Sequence, residues 1–202
     1  MKFVIATHNA HKLIELQRIL TPLGIEGVTD RDLGIELPAV EETGTTFAEN
    51  AYLKAASACQ VTGLPAIADD SGLMVDALGG EPGVYSARYG FDDSLDDWGR
   101  LQLLLKNMED VPDGQRQAKF VCVITMITPE GQTIQARGEI HGELLREARG
   151  RNGFGYDPIF YYPPFGVTTA EMSAAEKNQV SHRANALKIF NEKLKEAGYA
   201  DK

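Results

Sequence analysis

The chain has 202 residues, 43% of them hydrophobic and 24% charged, and a formal net charge of −9. That is enough for one substantial domain that buries a core without disulfides or structural metal. The acidic balance argues against a non-specific nucleic-acid binder, which needs a basic surface to neutralise phosphates, but allows one small polyanion held with a divalent cation in a locally basic pocket.

"KFVIAT" reads as a short buried strand. Leu13, Leu16 and Leu20 then recur at helical spacing, with Gly24 as a stop signal. A second helix is predicted over "TTFAENAYLKAASACQVTG", where Thr46 and Glu49 have capping-box spacing and an alanine-rich side permits close packing on a sheet. "PAIADD" is a short strand, "GLMVDALGGEPG" leads into a glycine-rich turn, and "SLDDWGRLQLLLKNM" is a third helix with Ser94 as its N-cap. "RQAKFVCVITMITP" is apolar on both faces and therefore central. "QTIQARGEIHGELL" alternates, with Ile134, Ala136, Ile140 and Leu144 on one face, and "TPEGQT" joins the two as a hairpin. An irregular stretch, "GRNGFGYDPIFYYPPFG", precedes a last helix carrying Leu187, Phe190 and Leu194. The mixture predicts an α/β (mixed α+β) fold around a mixed central sheet flanked by helices.

No apolar run approaches the ~20 residues that span a bilayer. "MKFVIATHNAHK" does not read as a signal peptide or anchor, so no membrane association is expected. Cys59 and Cys122 lie far apart, which suits reduced thiols and a cytoplasmic location.

Four segments carry chemistry. "THNAHK" places Thr7, His8, Asn9, Ala10, His11 and Lys12 at a strand-to-helix turn, where free backbone N–H groups and a lysine suit a phosphate. The same hexapeptide also suits an ordinary helix start capped by Asn9. His8 and His11 lack a third ligand at zinc spacing. Glu41, Glu42, Asp69 and Asp70 offer oxygen donors without cysteine, which suits Mg²⁺, although the aspartates would also suit a polar strand end. If the strand continues through both, Asp69 and Asp70 point to opposite faces, one to the site and one to structural bonds. Among scattered cations, Lys54, Arg88, Arg151, Lys177 and Arg183 each suit a solvated surface, whereas "SHR" (Ser181, His182, Arg183) opens the last helix where an anion or a nucleobase edge could dock. In "GFGYDPIF", Phe154, Gly155, Tyr156 and Asp157 provide rings for stacking on a purine, or simply a core-filling turn.

Together and in this order, Thr7-x-Asn9-x-x-Lys12, "EETGTTFAENAYLKA", "ADDSGL", "GGEPGVYSARY", "GFGYDPIF", Lys177 and "SHR" resemble the inosine triphosphate pyrophosphatase family, the XTP/dITP diphosphatases. The resemblance implies one domain over residues 1–202 with two lobes, an elongated mixed sheet and an active-site cleft between the lobes. It also implies Mg²⁺ dependence, a homodimer, and hydrolysis of ITP, dITP or XTP between the α- and β-phosphates to the monophosphate and pyrophosphate. By position, Thr7 to Lys12 would bind the triphosphate, Glu41 and Asp70 the magnesium, and Asp70 would take the proton of the attacking water. Lys54, Ser71 and Lys177 would contact substrate, and Phe154 to Asp157 with His182 and Arg183 would hold the nucleobase. His8 and His11 stand where the family varies. A site that donates to the C6 oxygen of hypoxanthine or xanthine leaves its donor unpaired against adenine, a mismatch that discriminates by ~10⁴ or more. The competing readings are a Maf-type pyrophosphatase for pyrimidine or modified nucleotides and a non-catalytic nucleotide sensor.

Overall fold

In the computed structural model, which describes residues 1–199, the first apolar run forms strand β1 (Lys2–Ile5) with Phe3, Val4 and Ile5 buried. Helix α1 (Ala10–Leu20) follows, burying Leu16 and Leu20. It passes through one 3₁₀ turn to Gly24 at φ 68°, the left-handed conformation that glycine adopts without a Cβ clash. Strand β2 (Glu26–Val28), too short to show a period in the sequence, pairs parallel to β1.

Helix α2 (Phe47–Thr62) begins where Thr46 Oγ1 accepts the Glu49 N–H. The returning arm of the predicted box lands one residue early: Glu49 carboxylate accepts from the Thr45 N–H at 2.7 Å, not from Thr46. Ala55 and Ala58 of this helix share a buried cluster with Val4, Ala66 and Ala68. Small side chains on both surfaces let helix and sheet approach closely.

Strand β3 (Ala66–Val75) runs for 10 residues, straight through the two aspartates instead of ending at them. Helix α3 (Asp97–Asn107) is capped by Asp96, whose carboxylate accepts the Gly99 N–H. The predicted cap, Ser94, is drawn into a local turn instead, its hydroxyl donating to Asp92. Strands β4 (Gln117–Ile127) and β5 (Thr133–Leu144) are joined by a turn closed by Thr128 N–H to Gln132 C=O at 3.0 Å. The aromatic and proline-rich stretch hides a hairpin, β6 (Phe160–Tyr162) and β7 (Val167–Thr168). Helix α4 (Ala174–Val180) carries a complete capping box from Ser173 and Glu176, and helix α5 (His182–Leu194) buries Leu187, Phe190 and Leu194.

The sheet order is β2-β1-β3-β4-β5-β6-β7. β1 is parallel to β2 and β3, and β6 is antiparallel to β5 and β7, so the sheet is mixed as predicted. β4, apolar on both faces, is the middle strand.

The chain divides into two compact units. The first comprises Met1–Asp70, Cys122–Gly138 and residues 185–199; its main core gathers Phe3, Leu20, Ile67, Ile124 and Phe190. The second comprises Ser71–Val121 and Glu139–Ala184, with Leu73, Leu104, Phe120, Ile140 and Phe160 at its centre.

A buried cation organises the second unit. The Arg116 guanidinium is almost fully enclosed and donates to four carbonyls, those of Leu144 (2.9 Å), Met108 (2.7 Å), Val111 (3.0 Å) and Leu145 (3.3 Å). Truncation would strand those acceptors. Arg116→Leu is therefore expected to lose about 2–4 kcal/mol in urea unfolding, with Arg116→Lys intermediate. A loss below about 0.5 kcal/mol would show that the carbonyls are satisfied without it.

Candidate active site

Two charge clusters stand out, one in each unit. In the first, β3 brings both aspartates inside, and alternation sends them to different partners. Asp69 accepts from Lys12 Nζ at 2.8 Å, whereas Asp70 Oδ1 lies 3.7 Å from Lys54 Nζ. Lys54 also binds Glu42 at 3.0 Å. Lys54 stands on α2, and the alanine face of that helix sets its reach to the strand.

Glu42, not Glu41, is thus the glutamate brought to Asp70. Glu41 is exposed, and its carbonyl accepts from the Thr43 N–H. That turn leaves one of two neighbouring glutamates in solvent and the other at Lys54, a choice that residue type does not make.

Asp70 is 9% exposed, and its Oδ2 is buried without a hydrogen-bond partner. Burial lifts its pKa to about 6 against the pull of Lys54, with Glu42 and Asp69 adding to the rise. The Asn50 amide favours the charged form, although its Nδ2 closes no hydrogen bond of ordinary geometry. Burial alone would lower the Lys54 pKa, but Asp70 and Glu42 outweigh it and the net shift is upward, so this lysine stays charged. Three carboxylates (Glu42, Asp69, Asp70) against two ammonium groups (Lys12, Lys54) leave the set one negative charge in excess. An unpaired carboxylate oxygen in a net-negative, oxygen-only set fits a hard divalent cation. Among the described residues no cluster of three or more His, Cys, Asp or Glu side chains forms a cage.

The turn before α1 is a cap first. Asn9 Oδ1 accepts the N–H groups of His11 (3.0 Å) and Lys12 (3.2 Å), and Thr7 Oγ1 accepts that of Asn9 (3.1 Å). Those donors, counted in the sequence as available to phosphate, are bonded within the turn. Ala10 opens the helix, and His8 Nε2 stands 3.8 Å from the buried Asp30 carboxylate. His8 and Lys54 both line a cavity of about 380 Å³ with Ala6, Leu37 and Val40.

In the second unit the centre is Asp157, 3% exposed. It accepts from Lys177 Nζ (2.6 Å), the Phe154 N–H (3.0 Å) and Thr169 Oγ1 (2.8 Å). Lys177 Nζ lies 5.3 Å from the centre of the Phe154 ring, within cation–π range. So satisfied a carboxylate is a scaffold; it presents Phe154, 71% exposed, and fixes Lys177. Tyr156 is not a second stacking face. Its ring is buried, its hydroxyl donates to the Ser86 carbonyl at 2.6 Å, and burial raises its pKa far enough to keep that proton. Gly155 supplies the left-handed φ of 59° that turns the chain between the two rings.

His182 and Arg183 are the first residues of α5, whose start is capped by Ser181 Oγ accepting the Ala184 N–H at 3.1 Å. The His182 ring stacks on Phe120 at 5.1 Å. Ser71 follows Asp70 on β3 and is half-buried. Thr169 had no motif to announce it, and Asn50 lies inside "EETGTTFAENAYLKA" without being singled out there; its four-residue spacing from Lys54 on one helix was the signal available.

A family model described as Ham1 family matches residues 3–193. The dITP/XTP pyrophosphatase of Shigella flexneri is 50% identical over 196 residues, 96% of this chain and 98% of that one. The enzyme of the same name from Escherichia coli (strain K12) is 49% identical with the same coverage. Among solved structures, a HAM1 protein from Coxiella burnetii superposes with TM-score 0.91 at 43% identity, covering 97% of this chain and 99% of that chain. A nucleoside-triphosphatase / dITP/XTP pyrophosphatase from Mycobacterium abscessus gives 0.81 at 44% identity, covering 94% and 98%.

The raised pKa of Asp70 has a consequence for stability. The folded state holds this proton more tightly than the unfolded chain, so the contribution is fully present below pH 3.8 and is lost as pH rises through about 6. Asp70→Asn removes that loss. Without metal, the variant is expected to gain on the parent chain by about 2–3 kcal/mol between pH 4 and pH 7.5 in denaturant melts. A gap that does not widen with pH would show that Asp70 is not strained when charged.

Proposed function

Because the chain belongs to the Ham1 family, we propose that it is a nucleoside-triphosphate pyrophosphohydrolase acting on non-standard purine nucleotides, ITP, dITP and XTP, and releasing the monophosphate and pyrophosphate. The observation that supports this best is the Lys54-bridged pair of Glu42 and Asp70, with one buried Asp70 oxygen left for a non-protein partner. A pure nucleotide sensor has little use for such an oxygen.

In this reading Glu42 and Asp70 hold Mg²⁺. The ion would offset charge on the triphosphate and acidify a bound water. Asp70 would accept the water proton at its carboxylate. Held beside the ion, an ionised carboxylate is within reach of the water that the ion would bind, as a general base must be. Lys12 and Lys54, locked by carboxylates, present fixed positive charge to phosphate oxygens and lose little entropy on binding. In the second unit the exposed Phe154 ring would stack on the purine, with Lys177 beside it. His182 and Arg183 are the candidate donors to the C6 oxygen, and Ser71 a further substrate contact. We also propose that both units act as one domain, that the enzyme is a homodimer, and that it works in the cytoplasm. Among the described residues no helix is long and apolar enough to cross a membrane.

Turnover of dITP, XTP, dATP, dGTP, dTTP and UTP, with separate assays for pyrophosphate and inorganic phosphate, tests the reaction. Pyrophosphate from dITP and XTP is the expected result. Equal or faster turnover of dTTP or UTP would favour a Maf-type activity, and phosphate alone would refute α–β cleavage. Asp70→Asn should lower kcat by roughly 10²–10⁴-fold. Arg183→Ala should cut the dITP-over-dATP preference by at least about tenfold, and an unchanged ratio would remove Arg183 from nucleobase selection.

A further inference from the structure

Helix α2 carries one buried polar group that the proposed chemistry leaves unused. Asn50 is 0% exposed and lies one turn before Lys54 on the same side of the helix. A buried asparagine needs an N–H for its oxygen and acceptors for its two N–H bonds. The oxygen is answered: Oδ1 accepts the N–H of Gly44 at 2.8 Å, two residues beyond Glu42. Contact there is tight, since a Cβ on Gly44 would meet Asn50 Oδ1 and Glu49 Cβ at 2.6 Å each. The nitrogen is not answered. Among the described residues Nδ2 has no hydrogen-bond partner, and neither has Asp70 Oδ2.

Packing alone does not call for this arrangement. The anchoring of Gly44 accounts for the amide oxygen, but an unpaired buried amide N–H still costs about 1–3 kcal/mol. The donor and the acceptor left over at this place are an amide and a carboxylate, and Lys54, one turn on from Asn50, stands 3.7 Å from that carboxylate.

We propose that Asn50 is a positioning residue for the reaction: its Oδ1 anchors the loop that carries Glu42, and its Nδ2 is the donor kept for one lone pair of the Asp70 carboxylate, the other being left for the non-protein partner. Glu42 and Asp70, contributed by a loop and a strand, are thereby held as one set from a single turn of α2. This rests on the proposed roles of Glu42 and Asp70.

Two variants separate the halves of the proposal. Asn50→Asp keeps an acceptor for Gly44 but removes the donor; kcat for dITP is expected to fall about 10–100-fold, KM to move less than about threefold, and the Gly44 amide to stay protected in hydrogen exchange. Asn50→Leu removes both functions; exchange at Gly44 should accelerate at least about tenfold and the affinity for MgCl₂ alone, read by calorimetry, should weaken by about tenfold or more. An Asn50→Asp enzyme within about threefold of wild-type kcat, or an Asn50→Leu chain with unchanged Gly44 exchange, would overturn the assignment. If Asn50→Leu does not fold, the isosteric Asn50→Asp decides. Should the wild-type protein release no pyrophosphate from dITP, the proposed function fails, while Gly44 exchange and the MgCl₂ titration still judge the anchoring role.

Discussion

Two adjacent aspartates inside a buried strand must each find a cation that the strand itself cannot supply. Leaving either ionised and unpaired would cost several kcal/mol, and the strand continues past them only because Lys12 and Lys54 arrive from two helices. That requirement explains much of the first unit. Helix α1 must start immediately after β1 so that Lys12 falls within reach of Asp69, and Asn9 makes that start abrupt by capping it. Helix α2 must lie close to the sheet, which its alanine face permits. The loop before α2 is then pulled inward by Lys54 through Glu42 and by Asn50 through Gly44.

The two carboxylates differ in what remains after pairing. Asp69 shares a short ion pair with Lys12 and serves the architecture. Asp70 has a longer contact, a raised pKa and an oxygen with no protein partner. Asp157 in the second unit marks the opposite extreme, with an ammonium, a backbone N–H and a hydroxyl all directed at it. Saturation turns a carboxylate into a scaffold, whereas one with an unfilled coordination demand keeps the capacity to take a cation or a proton. Residue type alone does not distinguish these fates.

Much of the fold was legible in the chain. Helical spacing located α1, α2, α3 and α5, and continuous or alternating hydrophobicity located β1, β4 and β5. The omissions share a cause: β2, β6 and β7 have two or three residues each, too few for a period to register, and α4 has no buried residue to create one. Caps misled where two polar residues compete within a few positions, as Ser94 did against Asp96, because hydrogen-bond geometry and not residue preference selects the winner.

The sequence by itself determined the inventory: a mixed α/β fold, the order of its chemical segments, the membership that follows from them, and the separation of Asp69 from Asp70 by strand alternation. Each depends on local periodicity or on linear order, which the chain carries explicitly. Only the tertiary structure decided that Glu42 stands beside Lys54 while Glu41 faces solvent, that Tyr156 is core while Phe154 is open, and that the buried Asn50 accepts the Gly44 N–H. Those outcomes depend on which of two neighbouring side chains points inward and on partners many residues away. Through-space distance and burial settle such choices, and neither is written in the spacing of residues along the chain.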